Sequence, residues 1–243
     1  MLKSDFHAHT NLIQKHSELS PKQLIDLAVK HKYDVITITE HAFLNFWFKL
    51  KYYPNAVKTY DHIKNYAKKK GILLIPGIET FVEGREILLI NFNKKPKKFT
   101  FDDLYELKNE NVLIVAPHPF YGKKKCIGDK IIEHIKLFDA IEYCHLYCNF
   151  INPNKKAVEI AKKYKKTLLA NSDAHFPYHL NLQSSLLDCN KNKDSILEAI
   201  RKNKVKIETK PMPTSLFIKE INWLITTNIK RNTKELIKDV FKS

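Results

Sequence analysis

Short apolar runs alternate with amphipathic stretches along most of the chain. The runs at 33–41 (YDVITITEH), 71–79 (GILLIPGIE), 86–93 (EILLINFN), 112–120 (VLIVAPHPF), 138–145 (FDAIEYCH) and 166–175 (KTLLANSDAH) predict buried strands. The stretch at 20–32 predicts a helix. Ser20 stands at its cap, Pro21 at its first position, and Leu24, Leu27 and Ala28 fall on one face. A helix over 100–111 follows from Thr100 as cap and from Asp102 and Asp103 in the first turn, where the helix dipole favours negative charge. Further helices are predicted over 54–70, 128–137, 153–165 and 193–203. Strand and helix in regular succession imply a largely parallel sheet, open or closed.

The first residues, MLKSDFHAHTNL, follow another rule: Asp5, His7 and His9 occupy alternate positions. On a strand, alternate residues share a face, so the three ionisable groups converge. The other strands also end in polar residues: Glu40 and His41, Glu79, His118, Glu142 and His145, Asp173 and His175. In a parallel α/β barrel such ends gather on one rim. One strand-end histidine is weak evidence, because most are structural. Here seven of the 11 histidines (His7, His9, His16, His41, His118, His145, His175) lie at strand ends or just after the first strand. His31, His62, His134 and His179 fall in helices or loops and are expected to be solvated. Imidazoles mixed with carboxylates suit Zn²⁺, Mn²⁺ or Fe²⁺. Nine candidate ligands exceed the three or four that one ion needs, so two or three ions are expected.

Composition narrows the class. The 243 residues, 44% apolar, suffice for a packed core. No apolar run reaches the roughly 20 residues of a membrane span, and the N-terminus has no signal-peptide core, so the chain reads as cytosolic, with no membrane partner. The four cysteines (Cys126, Cys144, Cys148, Cys189) form no Cys-x-x-Cys pair and read as free thiols. The net charge of +16 is nearly all lysine. It favours anionic partners, yet the lysines are spread along the whole chain, as general solubility would also spread them.

Five motifs in order, DFHAHT, ITEH, PGIE, APHP and NSDAH, resemble the PHP (polymerase and histidinol phosphatase) family over about residues 1–210. The resemblance implies a distorted (β/α)7 TIM-like barrel over 1–213, and the tail over 214–243 reads as a helical extension of two short amphipathic helices packed on its outside. It also implies a metal cluster, often trinuclear, at the C-terminal rim, and phosphoesterase activity. Carried over position by position, His7, His9, His41, Glu79, His118, Asp173 and His175 are the metal residues. Glu79 would bridge ions, and Glu79, Asp173 and His175 would be catalytic. His16 fits the ligand that follows the first motif. His145 falls where family members carry a polar or ligating residue after Ile141-Glu142, with Cys144 or Asn149 as alternatives. The second motif reads Thr-Glu-His where the family usually has Thr-Asp-His, so the longer Glu40 stands to reposition His41. Asp5 and Glu40 are expected to orient the ligating histidines.

The expected activity is hydrolysis of a phosphate ester by a metal-activated water at a di- or trinuclear site. The substrate would be a phosphorylated small molecule or nucleotide. Arg85, Lys123 and Lys124 are candidates for binding its phosphate, although each also fits a solvated loop or hairpin. Two alternatives stand beside this reading: a nuclease or nucleotide phosphatase, and a non-catalytic nucleic-acid-binding or scaffold domain. The aromatic stretch FLNFWFKLKYY (43–53) reads equally as a lid, a base-stacking platform or packing.

Overall fold

The computed structural model describes all residues except 14–16, 47–48, 53–57, 96, 109–110, 122–123 and 227–243, and only the backbone of 43–46 and 49–52. The chain divides into two compact units, Met1–His145 with Pro153–Lys210, and Leu146–Asn152 with Pro211–Ser243. In the smaller unit the Met212 amide donates to the Tyr147 carbonyl at 2.8 Å, and residues 214–226 are helical. The second amphipathic helix expected in the tail lies outside the described residues.

The larger unit is built on a nine-stranded sheet that curls into a nearly closed barrel. Its strands in chain order are β1 (Leu2–Ala8), β2 (Val35–Ile38), β5 (Leu73–Val82), β6 (Arg85–Ile90), β7 (Leu113–Ala116), β8 (Ala140–Tyr143), β9 (Thr167–Ala170), β10 (Gln183–Leu187) and β11 (Val205–Thr209). A separate two-stranded ribbon, β3 (Phe43–Phe46) and β4 (Lys49–Tyr52), follows β2. The sheet order is β11-β10-β1-β2-β5-β6-β7-β8-β9. β1, β2 and β5 are mutually parallel, as are β7, β8 and β9. β6 runs antiparallel to both its neighbours, and β10 antiparallel to β1 and β11.

Simple strand–helix alternation therefore overstates the parallel character of the sheet. β5 and β6 form a hairpin in which Val82 pairs with Arg85, and the two turn residues, Glu83 and Gly84, have φ of 48° and 82°. Such a turn matches the natural strand twist and needs left-handed backbone at both positions, which Gly84 adopts at no steric cost. β10 and β11 carry no strong apolar run, and the ribbon falls within the aromatic stretch at 43–53, for which the sequence leaves lid, platform and packing open.

The two faces of the strands serve different cores. On β7, Leu113 and Val115 join Phe6, Leu88, Ile90 and Leu169 in one buried cluster. Ile114 and Ala116 join a second, with residues of α3 (Phe101–Lys108) and α5 (Lys155–Lys163). A third cluster packs α1 (Pro21–Lys30) and α2 (Lys58–Lys69) against β2 and β5. α6 (Lys193–Arg201) adds Ile196, Leu197 and Ile200 to the first cluster. α1 begins with a complete capping box: Ser20 accepts from the Gln23 amide, and the Gln23 side chain accepts from Ser20. The helix expected over 128–137 shrinks to the single turn α4 (Lys130–Glu133), within a run of turns.

The barrel seam lies between β9 and the β1–β10 pair and is closed largely by side chains. Ser185 Oγ donates to the Ala170 carbonyl and accepts from its amide, at 3.2 and 2.9 Å. Asn171 Oδ1 accepts from the Phe6 amide at 3.0 Å. Asp5 accepts from the amides of His7 and Ser172, at 3.1 and 3.2 Å.

Asp103 closes the N-terminus of α3. Its carboxylate accepts from the Thr100 amide at 2.7 Å and lies 2.7 Å from Lys97 Nζ. The Lys97 ammonium, helped by Thr100, holds its pKa down at about 2. A carboxyl whose folded pKa is depressed contributes stability above its unfolded pKa of about 4, and that stability fades as pH falls toward the folded value. Asp103→Ala should therefore cost about 1 kcal/mol near neutral pH. In urea unfolding, the gap to the parent chain should narrow from about pH 5 to pH 3.

Candidate metal centre

Strand direction decides what reaches the rim. His9, His41, His118 and Asp173 each follow the C-terminal end of a strand, β1, β2, β7 and β9, and Glu79 lies toward that end of β5. Because β6 is reversed, its first residues, Arg85 and Glu86, reach the same end of the sheet.

Glu79 is the hub. Its Oε2 lies 2.7 Å from His41 Nδ1, 3.5 Å from His9 Nε2 and 3.7 Å from His7 Nε2. Its Oε1 lies 3.4 Å from His118 Nε2. Asp173 Oδ1 approaches from the other side, 3.3 Å from His7 Nε2, 3.2 Å from His9 Nε2 and 3.5 Å from His175 Nδ1. His175 completes the group, its ring centroid 4.5 Å from that of His9. Seven of the residues singled out from the sequence thus meet in one place.

The hydrogen-bonding pattern inside this group is incomplete in a telling way. His7 Nε2 and His9 Nε2 face each other at 3.0 Å, with two carboxylate oxygens aimed at the same point. His7 Nδ1 is already bonded to Glu142 Oε1 at 3.0 Å, which puts the ring proton there and turns a lone pair inward. His9 Nδ1 and Glu79 Oε1 are buried without a hydrogen-bond partner. One proton between the two nitrogens cannot satisfy four converging donors of electron density. A divalent cation can, so the residues fit a metal. Three sets that share His7 or His9, namely His7–His9–Glu79, His9–His41–His175 and His7–His118–Glu142, each hold ligand atoms within 4.8 Å of one another, and a further set, Glu86–His118–Cys126, joins them through His118.

Charge states point the same way. Burial, reinforced by His41, pushes His9 down to about 3, and burial with His9 keeps His175 well below its usual value. Both imidazoles are therefore neutral, as ligands must be. Burial opposes ionisation of Glu79 and Asp173, yet the surrounding histidines outweigh it and hold both carboxyls well below their usual range. Burial likewise opposes charging of His7, but Glu142 and Asp173 override it and hold this imidazole well above its usual range. Protons thus gather where the carboxylates demand positive charge.

Other expectations change. Asp5 and Glu40 hold backbone and hydroxyl groups and bond to no imidazole. Asp5 grips the His7 and Ser172 amides. Glu40 accepts from the Thr10 amide at 3.2 Å, from the Thr10 hydroxyl and from Thr59 Oγ1 at 3.4 Å. Glu142 is the carboxylate that orients a ring. It binds His7 Nδ1, accepts from the His118 amide at 2.8 Å and from Asn171 Nδ2 at 2.9 Å, and is buried. Its strand-end position was visible in the sequence, but the adjacent His145 drew the ligand assignment.

His145 packs its ring 4.8 Å from that of His179 and belongs to none of the three sets. His179, expected to be solvated, is fully buried, and its Nδ1 accepts from the His175 amide at 3.2 Å. Cys144 is buried and donates its amide to Asn154, and Asn149 is exposed. His16 and Lys123 lie outside the described residues. Arg85 spends its guanidinium on the carbonyls of Lys124 and Cys126, at 2.6 and 3.0 Å, so it anchors a loop. Lys124 is exposed.

Fold and rim together define a barrel with a ready donor set for divalent cations at its C-terminal end. The chain belongs to the PHP domain family, whose sequence model matches residues 5–211. It is 29% identical to the uncharacterized protein MJ0417 of Methanocaldococcus jannaschii over 185 residues, 72% of this chain and 66% of that one. Among solved structures, it resembles a Bacteroides vulgatus two-domain protein containing a predicted PHP-like metal-dependent phosphoesterase, with TM-score 0.68, 19% identity, and coverage of 86% of this chain and 65% of that one. It also resembles PsfC from Pseudomonas syringae, with TM-score 0.62, 16% identity, and coverage of 96% and 98%. The chain thus spans about two thirds of the length of MJ0417 and of the Bacteroides protein.

Glu142→Gln tests the orienting role. The amide can still accept from His7, but its NH₂ then opposes the His118 amide or Asn171, leaving donors facing donors. Metal affinity, read by competition with a chromophoric chelator, should fall by about 10- to 100-fold.

Proposed function

We propose that this chain is a metal-dependent phosphoesterase that hydrolyses a phosphate ester at a site of two or three divalent ions. One observation carries the reading: imidazoles and carboxylates from five separate strand ends converge on one place, with His9 Nδ1 and Glu79 Oε1 buried there without a hydrogen-bond partner. Membership of the PHP family and likeness to a protein described as a predicted PHP-like metal-dependent phosphoesterase support the same chemistry. Overlap of the three donor sets supports more than one ion, because His7 and His9 each belong to two of them. No helix of the described residues is long and apolar enough to cross a membrane.

Bound divalent ions would polarise a phosphoryl oxygen and lower the pKa of an attacking water. The protein's part is to hold the donors. His7, His9, His41, His118 and His175 supply nitrogen donors, and Glu79 and Asp173 supply charge. Glu79 stands within 3.7 Å of four imidazoles through its two oxygens, the placement of a carboxylate shared between ions. Glu142 and Asp5 keep the ligand-bearing backbone and the His7 ring in register. The substrate is a phosphorylated small molecule or nucleotide. Its anionic charge is met chiefly by the ions, because Arg85 is already engaged.

The test is a panel of phosphomonoesters, cyclic nucleotides, bisphosphorylated nucleosides and short oligonucleotides, assayed with metal-loaded protein. Hydrolysis should appear with Mn²⁺ or Zn²⁺ and vanish on chelation. Glu79→Gln keeps size and removes charge, and should lower the rate on the order of 10²- to 10⁴-fold with an unchanged far-ultraviolet circular dichroism spectrum. No hydrolysis of any phosphoester by metal-loaded parent protein would overturn the enzymatic reading. If nucleic-acid binding that weakens with salt appeared instead, the non-catalytic alternative would stand.

A further inference from the structure

His118 is held differently from the other imidazoles of the rim. Its Nε2 faces inward, 3.4 Å from Glu79 Oε1 and 3.9 Å from Asp173 Oδ2. Its Nδ1 faces outward, and the atom it meets there is the Cys126 sulfur at 3.5 Å. An imidazole that binds a cation through one nitrogen is normally oriented by a partner on the other. For His7 that partner is the Glu142 carboxylate. For His118 it is a thiol, a weak and polarisable partner.

The thiol is not there by accident of packing. Cys126 is buried, in the loop that follows β7. Arg85 clamps the carbonyls of Lys124 and Cys126, and the Glu86 amide donates to the Lys125 carbonyl at 2.9 Å. Lys125 Nζ in turn lies 3.4 Å from Glu86 Oε1. On the far side, the Gly128 amide donates to the Pro119 carbonyl at 3.0 Å, closing the loop on itself. Three constraints from the reversed strand β6 therefore fix the sulfur. The histidine needs them, because its own backbone sits at φ of 27°, a sparsely populated region for a non-glycine residue.

We propose that Cys126 is a positioning residue for His118, orienting the imidazole toward the cation site through Nδ1, with Arg85 as the anchor of its loop. The inference rests on the reading of the rim as a metal centre. It gives a role to a buried thiol and to an arginine that the phosphoesterase reading leaves without one.

Cobalt(II) separates the two readings without recourse to turnover. Metal-free parent protein, Cys126→Ala, Cys126→Ser and the control Cys189→Ala are titrated with Co²⁺, and the d–d absorption and chelator-competed affinity are followed. Thermal melting of the metal-free forms is recorded alongside. The parent should bind Co²⁺ with a visible d–d spectrum. Cys126→Ala should bind at least one ion about 10-fold more weakly, with an altered d–d envelope. Cys126→Ser, which restores a hydrogen-bonding group, should recover most of the affinity, and Cys189→Ala should match the parent. Arg85→Met should weaken the same ion, since it frees the loop that carries Cys126.

A parent that binds no Co²⁺ overturns the metal centre and this inference with it. A parent that binds while Cys126→Ala is unchanged overturns this inference alone. So does equal loss in Cys126→Ala and Cys126→Ser that follows lowered melting of both metal-free forms, which would make the thiol a packing group only. An intense sulfur-to-cobalt charge-transfer band in the near ultraviolet, lost in Cys126→Ser, would make Cys126 a ligand and also overturn the positioning role.

Discussion

The Glu142 carboxylate sits where four strand ends meet. It lies on β8, accepts a hydrogen bond from the His7 ring on β1 and from the amide of His118 beyond β7, and accepts from Asn171 beyond β9. Asn171 passes the connection on to the Phe6 amide. A buried carboxylate with this many donors is held in one geometry, because any displacement leaves a charge or an N–H unpaired in a low-dielectric setting. The rim inherits that rigidity. His118 and Asp173 both have positive φ, 27° and 45°, conformations that persist only where surrounding bonds over-determine them. The Glu142 bond to the His118 amide supplies one such constraint. The Asp173 carbonyl, 2.9 Å from His175 Nδ1, takes part in another.

The same carboxylate lies beside the weakest place in the barrel. β9 and β1 share no regular ladder, and the gap is spanned by Ser185, Asn171 and Asp5. His7, His9 and Asp173 all lie next to this seam. Across the barrel, the reversal of β6 brings the start of a strand to a rim otherwise made of strand ends, and so places Arg85 and Glu86 behind His118.

The seven residues that meet at the rim were legible in the sequence because period-two alternation and strand-end position are local properties, and the motifs resembling the PHP family separated them from the other strand-end residues Glu40, Glu142 and His145. His7 and His9 need only a strand to share a face, and Asp173 and His175 need only a tight turn after one. The strands and the larger helices were legible for the same reason, from apolar runs and caps such as Ser20. The residues behind the ligands were not. Whether Glu142 faces His7 depends on β8 and β1 lying across a barrel from each other, 135 residues apart in the chain. Cys126 required knowing that β6 is reversed and that Arg85 would fold its guanidinium onto a loop 40 residues later. His179 sits in a segment with no periodicity, and its burial comes from tertiary packing. β10 was invisible because Gln183–Leu187 has no alternation, whereas Val205–Thr209 alternates polar and apolar residues as a half-buried strand does but is only 5 residues long.

Glu40 shows how a departure in a motif is absorbed. One methylene longer than aspartate, it would displace His41 if its carboxylate had to reach that ring. The structure sends it elsewhere, to the amide and hydroxyl of Thr10 after β1 and to Thr59 at the start of α2. Burial pushes this carboxyl up to about 7, with the Thr10 bonds pulling it back. His41 is placed by backbone: the Glu79 amide donates to the Glu40 carbonyl at 3.2 Å and the Ala42 amide to the Glu79 carbonyl at 2.8 Å. Those two bonds extend the β2–β5 pairing from the Ile38–Pro76 pair to His41 and Glu79, beyond the end of β2, and set the His41 ring against Glu79. A substitution that alters a side chain can thus leave the metal group intact where the ligand's position is fixed by the ladder.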